Sequence, residues 1–165
     1  MKRQQQGFFL IEALIAILIF TLGILGLIGM GSTAIAAQSD ARFRTDAAIL
    51  ANDIASHIQL NVDRTSLAAL QTSLNGFQHR PIGNNCAFTG AASADAGLLN
   101  WLNSVVTVGP GLPGLPGTGA TTQQVLVDTA ATGFNRVQVT ICWRAPTDTA
   151  MRRHTFVTYV NPELI

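Results

Sequence analysis

Hydrophobic positions dominate the first part of the chain, and their pattern predicts one long helix. Residues 13–39 form an uncharged run of 27 residues, whereas about 20 apolar residues suffice to cross a bilayer. After residue 40 the apolar positions recur every three or four residues, which is the period of an amphipathic helix. These positions are Phe43, Ala47, Leu50, Ile54 and Ile58. We therefore expect a single helix from about Phe9 to about Asn61, apolar on all sides at first and on one face later.

Two shorter helices are predicted further along the chain. Residues 66–74 place Leu67, Leu70 and Leu74 on one helical face, with Asp63 or Thr65 as the N-cap. A second helix is predicted from a cap at Asp95 to about Val106. Its inward face would be formed by Leu98, Trp101, Leu102 and Val105.

The C-terminal part predicts a loop and then a small sheet. Residues 109–119 contain three Pro-Gly pairs, which exclude a helix or a central strand and indicate a loop. Three strands follow, at residues 123–128, 134–143 and 153–160, and the turns between them favour antiparallel pairing. In the second strand, Phe134 begins a partial alternation of apolar residues. The expected fold class is α+β, with a long N-terminal helix packed on a small antiparallel sheet.

Charge and composition indicate where the chain resides. Lys2 and Arg3 precede the apolar segment, which places the N-terminus in the cytoplasm and the rest of the chain in the periplasm or outside. Only 12% of the residues are charged and the net charge is +1, so no nucleic-acid partner is expected. The small arginine clusters at Arg42/Arg44 and Arg152–Arg153 are typical of solvated surfaces.

Catalytic and metal-binding motifs are missing from the sequence. It contains no Gly-x-Ser-x-Gly, Walker A or His-Glu-x-x-His motif, and no Cys-x-x-Cys or His-x-x-x-His spacing. Neither enzymatic activity, nor a cofactor, nor a metal is expected. His57, His79 and His154 are interpreted as surface or structural residues.

The two cysteines, Cys86 in an irregular segment and Cys142 in a strand, are expected to form a disulfide, because thiols in a small oxidised domain usually pair. Two buried free thiols are the alternative.

Glu12 is the residue that most needs a chemical explanation. It lies near the start of the apolar segment, where a charge at the bilayer centre costs at least about 2.5–3.5 kcal/mol. Gly7 stands five residues earlier. Cleavage after Gly7 would create an α-amine on Phe8, one helical turn from Glu12, and that amine would be a suitable partner. The alternatives are a plain membrane anchor and a secretory signal cleaved near Ala37. Neither alternative explains why a carboxylate stands at position 12.

The arrangement of Gly7, Phe8 and Glu12 after a basic leader resembles the class III signal of type IV pilins and type II secretion pseudopilins. In those families a short basic leader ends in Gly, the next residue is usually Phe, and Glu stands four positions later. Two further segments are most similar to those of PilV-type minor pilins. They are residues 19–27, Ile-Phe-Thr-Leu-Gly-Ile-Leu-Gly-Leu, and residues 47–61. The resemblance is good over residues 1–61. One departure is that no proline precedes Pro81, so Gly23 and the glycines that follow it are the expected weak points of the helix.

The resemblance implies a division of the chain and a set of partners. Residues 1–7 would be the leader peptide, 8–39 the transmembrane and assembly helix, and 40–165 the periplasmic pilin domain. Prepilin peptidase would cut between Gly7 and Phe8 and N-methylate Phe8, and Glu12 would act in assembly. The partners would be the inner membrane, the pilus assembly platform, other minor pilins and the major pilin. A minor pseudopilin of type II secretion and a ligand-binding pilin, either an adhesin or a DNA-uptake pilin, are the alternative functions.

Overall fold

The structure is a computed structural model that describes residues 6–106, 108–109, 112–146 and 148–162. Within these residues it contains α-helices and two antiparallel sheets. The helices are α1 (Gln6–Asn61), α2 (Leu67–Gly76) and α3 (Ala96–Val106), and the strands are β1 (Val108–Gly109), β2 (Leu112–Pro113), β3 (Gln123–Asp128), β4 (Arg136–Trp143) and β5 (Arg152–Tyr159). The predicted α+β class, with a long apolar N-terminal helix and a three-stranded antiparallel sheet, is confirmed. Lys2 and Arg3 lie outside the described residues.

The helix α1 belongs to two units of the chain, which divides after Ala41. In the first unit every described side chain from Phe9 to Ser39 is exposed. The helix continues through Gly23 and the other glycines predicted as weak points. In the second unit α1 has the predicted apolar stripe, in which Phe43 is half-buried and the remaining positions are buried. The buried stripe residues are Ala47, Leu50, Ile54 and Ile58.

The core of the second unit joins this stripe to α2, α3 and the larger sheet. Ile54 and Ile58 belong to one cluster with Leu74, Trp101 and Val139, all of them buried. Burying a large aliphatic side chain contributes about 1.5–3 kcal/mol, so this single cluster is the main source of stability for residues 42–162.

The predicted cap of α2 is wrong. Ser66 is the N-cap, and its hydroxyl accepts a hydrogen bond from the backbone N–H of Ala69 at 3.1 Å. The carboxylate of Asp63 instead accepts the backbone N–H of Thr65 at 2.9 Å and its hydroxyl at 2.7 Å, which closes a turn before the helix. Leu67 was expected to face inward but is half exposed, because it begins the helix outside the buried Leu70/Leu74 face.

The prediction for α3 is confirmed. The carboxylate of Asp95 accepts the backbone N–H of Leu98 at 2.8 Å, as an N-cap does. The four predicted inward residues are the buried ones, Leu98, Trp101, Leu102 and Val105. The indole N–H of Trp101 also donates to the backbone carbonyl of Leu50 in α1 at 2.8 Å, which fixes α3 against the second half of α1.

The larger sheet has the strand order β3-β4-β5 with both pairs antiparallel. The bounds of β3 agree with the prediction, but β4 begins at Arg136 and not at Phe134. Phe134 and Asn135 both have a φ of +51°, and the Phe134 side chain is exposed. A turn at this point breaks the alternation that the sequence suggested.

The Pro/Gly-rich segment is not wholly a loop. Val108–Gly109 and Leu112–Pro113 form a two-residue antiparallel pair, which the sequence did not predict. Leu115 then returns to the core, where it is fully buried and its N–H bonds the carbonyl of Val105 at 2.9 Å. The segment is therefore paired within itself and held to the end of α3 by the hydrogen bond of Leu115.

Candidate functional site

Glu12 lies in an exposed, apolar part of α1. Its own side chain is exposed, and so are those of its neighbours Phe9, Ile11 and Leu14. Among the residues that the structure describes, none donates a hydrogen bond to the Glu12 carboxylate. The exposed carboxylate is thus surrounded by exposed apolar side chains.

Gly7 and Phe8 fall on the same helix as Glu12. The backbone of both residues belongs to α1, which begins at Gln6. Residues four apart on a helix lie on one face, so an α-amine at Phe8 would be on the side of the helix that carries Glu12. Cleavage after Gly7 and N-methylation of Phe8 remain predictions.

Two threonine hydroxyls within the apolar segment make their hydrogen bonds inside the helix. The hydroxyl of Thr21 donates to the carbonyl of Leu18, and that of Thr33 donates to the carbonyl of Met30, both at 2.9 Å. In hydrocarbon a polar group without a partner costs several kcal/mol, and these bonds avoid that cost. The helix is long and apolar enough to cross a membrane.

The glycines of α1 leave its backbone open to close approach. A Cβ built at these four positions would meet nothing within 4 Å: Gly23, Gly26, Gly29 and Gly31. Small residues of this kind let membrane helices approach closely and gain van der Waals contact. In this segment of α1, both the single carboxylate and the small residues are directed outward.

The predicted disulfide between Cys86 and Cys142 is present. Its Cα atoms are 5.7 Å apart, and it forms a second small cluster with buried Phe88 and half-buried Met151. The backbone N–H of Phe88 bonds the carbonyl of Thr121 at 2.9 Å close to the bond. The disulfide thus attaches the irregular segment after α2 to the central strand β4.

His57 has a structural position between α1 and α3. Its Nε2 lies 3.5 Å from the carboxylate of Asp95, and its ring meets that of Phe77 edge-on at a centroid distance of 6.0 Å. A Cβ at Gly97 would overlap the His57 ring, so glycine is required for this contact. The residue has no geometry that suggests catalysis.

His79 is the histidine whose environment the sequence did not reveal. It is 3% exposed, and its backbone pairs with that of Val125 at the edge of β3. The ring atom Nδ1 accepts the backbone N–H of Ser93 at 3.2 Å. Burial, together with the adjacent charge of Arg80, lowers the pKa of His79 below its ordinary value of 6.5. The ring is therefore neutral at pH 7, and nothing in the local sequence signals this burial.

Metal ligation has no site in the described part of the chain, where no group of three or more His, Cys, Asp or Glu side chains is placed to hold an ion. Comparisons with protein-family models, with curated proteins and with solved structures find no match to this chain.

Proposed function

We propose that the chain is a minor pilin of the PilV type, which is anchored in the inner membrane and then enters, or primes, a type IV pilus. The observation that carries the proposal is the helix α1. It combines an exposed apolar segment, a carboxylate at Glu12 to which no described residue donates a hydrogen bond, and a second half that supplies one face of a globular core. A soluble protein would not leave such a long apolar surface exposed.

Assembly depends in this proposal on a pair between Glu12 and the Phe8 amine of a neighbouring subunit. A free α-amine has an ordinary pKa of about 7.7–8.0 and is mostly cationic at neutral pH. Each charge alone carries a desolvation penalty of several kcal/mol in an apolar environment, and pairing offsets part of it. An intersubunit pair forms only in the correct axial register, so it selects that register during assembly.

The remaining parts of the chain have roles that follow from this scheme. Residues 1–7 form the leader that prepilin peptidase removes, and the open glycines of α1 allow close packing in a helix bundle. The globular unit lies in the periplasm and then on the cell surface. Its disulfide suits an oxidising compartment. The partners are other minor pilins, the major pilin and the assembly platform.

The test compares membrane insertion with incorporation into pili. Glu12→Ala is expressed in a strain from which the gene has been deleted, and mature protein is quantified in the inner membrane and in sheared pili. We expect normal insertion and cleavage but severalfold less protein in the pili. Equal incorporation of Glu12→Ala and wild type would reject the assembly role of Glu12.

Two matched variants define the step that fails. Asp53→Ala removes an exposed carboxylate from the second half of the same helix and should assemble normally. Gly7→Leu places bulk at the cleavage site and should accumulate as precursor in the membrane. Surface piliation and exoprotein secretion are scored in the deletion strain, because loss of secretion with normal piliation would identify a pseudopilin instead.

A further inference from the structure

The two edges of the larger sheet differ in how they are protected. At the β3 edge the backbone of Val125 exchanges two hydrogen bonds with that of His79, at 2.9 and 3.1 Å. On the side of β5 away from β4, no strand is paired within the described part of the chain. Proteins usually cover, shorten or charge such an edge, because its free N–H and C=O groups can pair with another chain. The eight-residue strand β5 has none of this cover.

The register of the sheet identifies which backbone groups of β5 point outward. In an antiparallel pair, alternate residues bond the partner strand and the residues between them point away. The N–H of Val160 bonds the carbonyl of Asn135 at 3.1 Å and continues the register of β4 and β5, so the even-numbered residues face β4. The odd-numbered residues direct their N–H and C=O groups outward, and no described residue bonds these groups. They are Arg153, Thr155, Val157 and Tyr159.

The open edge has a defined length. Beyond Tyr159, the carbonyl of Asn161 accepts a hydrogen bond from Nη1 of Arg64 at 2.6 Å, which closes the edge at that end. At the other end, the side chain of Arg152 is paired with Asp148. An added strand opposite residues 153–159 would therefore satisfy all the outward backbone groups and would need no other change in the sheet.

The side chains along this edge specify what such a strand should carry. Arg153 exposes a cationic group at one end, and Val157 and Tyr159 expose apolar groups toward the other. On the helix-facing side, Phe156 packs on the main core but is only half-buried. Opposite charges and pairs of apolar or aromatic residues stabilise neighbouring strands when they lie directly across from each other.

We propose that the outer edge of β5 binds an extended segment of another protein, which adds to the sheet as a fourth, antiparallel strand. This segment carries an acidic residue opposite Arg153 and apolar residues opposite Phe156, Val157 and Tyr159. Main-chain hydrogen bonds supply the affinity of strand addition, and the alternating side chains supply the specificity.

A second copy of this chain is excluded as the occupant by an argument that rests on the proposed function. Symmetric antiparallel pairing of two β5 edges requires a two-fold axis perpendicular to the sheet. That axis reverses the direction of residues 42–61 of α1, which pack on the sheet. Two copies anchored in one membrane run in the same direction, so their β5 edges do not pair in this way.

The experiment titrates the full chain in lipid nanodiscs with the peptide acetyl-Val-Ser-Ile-Val-Thr-Ser-Glu-amide, which places glutamate opposite Arg153. We expect saturable binding, followed by the backbone NMR signals of residues 153–159. N-methylation at the third and fifth peptide residues removes two N–H groups that face β5 and should raise the Kd at least tenfold. N-methylation at the second and sixth residues, whose N–H groups face away, should change the Kd much less. Replacing the glutamate by lysine should weaken binding severalfold.

Matched protein variants test the same edge. Thr155→Pro removes one outward N–H, and proline is tolerated at such a position because the bonds to β4 remain. This variant should raise the Kd at least fivefold, whereas Thr155→Ala keeps the N–H and should bind like the wild type. Arg153→Gln should lose the preference for glutamate over lysine in the peptide.

Several results would overturn the proposal. They are the absence of saturable binding, equal effects of the two N-methylation patterns, and equal Kd values for Thr155→Pro and Thr155→Ala. Self-association of the chain that Thr155→Pro abolishes and Thr155→Ala retains would identify a second copy as the occupant instead. Glu12→Ala should bind the peptide normally, so a failure of strand addition is distinguished from a failure of the proposed role in pili.

Discussion

Replacing Cys86 and Cys142 together with alanine measures how much the disulfide stabilises the globular unit. The bond joins residues 56 apart in sequence. The chain-entropy estimate for closing a loop of this length is about 4 kcal/mol, against a total stability of about 5–15 kcal/mol for a typical domain. Backbone bonds at His79–Val125 and Phe88–Thr121 remain in the variant, so the segment keeps its attachments in the folded state. The main effect of removing the disulfide is therefore to increase the conformational entropy of the unfolded chain.

The assay is urea denaturation of the full chain in detergent, followed by tryptophan fluorescence. Both tryptophans, Trp101 and Trp143, are buried in the globular unit and report its unfolding. We expect a loss of about 3–4 kcal/mol in the free energy of unfolding. Because the unfolded variant is less constrained, its denaturant slope should not decrease.

One control separates the covalent bond from the packing around it. Met151 packs on the disulfide cluster, and Met151→Ala removes this contact while the bond stays intact. Its cost should be clearly smaller, because Met151 is only half-buried. Reduced wild type should unfold like the double alanine variant. A loss below about 1 kcal/mol in the double variant would refute the loop-closure argument.

Three further predictions concern the cap of α2, the anchor of α3 and the buried imidazole. Ser66→Ala removes the acceptor for the N–H of Ala69 and should cost about 1 kcal/mol, whereas Ser66→Gly should cost only a few tenths; equal costs would argue against capping. Trp101→Phe removes the bond to the Leu50 carbonyl and should cost about 1–2 kcal/mol in the same urea assay; an unchanged midpoint would contradict it. His79 has a lowered folded pKa, so stability should be full above about pH 6.5 and should fall as pH drops below that value, since the unfolded state then binds more protons. Thermal unfolding between about pH 7.5 and pH 5.5 should show a steeper loss for the wild type than for His79→Phe, and parallel profiles would count against the buried neutral ring.

Much of the fold could be predicted because its signals are local. The apolar run and the later stripe with Ile54 and Ile58 specify α1 through the helical period alone. The N-cap at Asp95 and the buried face of α3 are likewise predictable, because both depend on residues close together in the sequence. The strand β3 was predicted to its ends, because turn residues bound a short apolar segment on both sides.

Other features depended on choices between equivalent local signals. Asp63, Thr65 and Ser66 are all good N-caps by residue type. Asp63 and Thr65 bond each other in a turn, and this leaves Ser66 to cap α2. Phe134 begins an apolar alternation in the sequence, yet the positive φ at that position turns the chain before β4 begins. The spacing of apolar residues predicts which side chains are buried, but it does not predict where the backbone takes a positive φ.

The long apolar helix, the place of Glu12 within it and the two partners of the disulfide could all be inferred from the unfolded chain. Charge, hydropathy and spacing are properties of the chain before it folds. The burial of His79, which lowers its pKa and keeps the ring neutral at pH 7, is visible only in the folded chain. His79 and Val125 are 46 positions apart in sequence. Their backbones pair across the sheet edge, a long-range contact that no local pattern encodes.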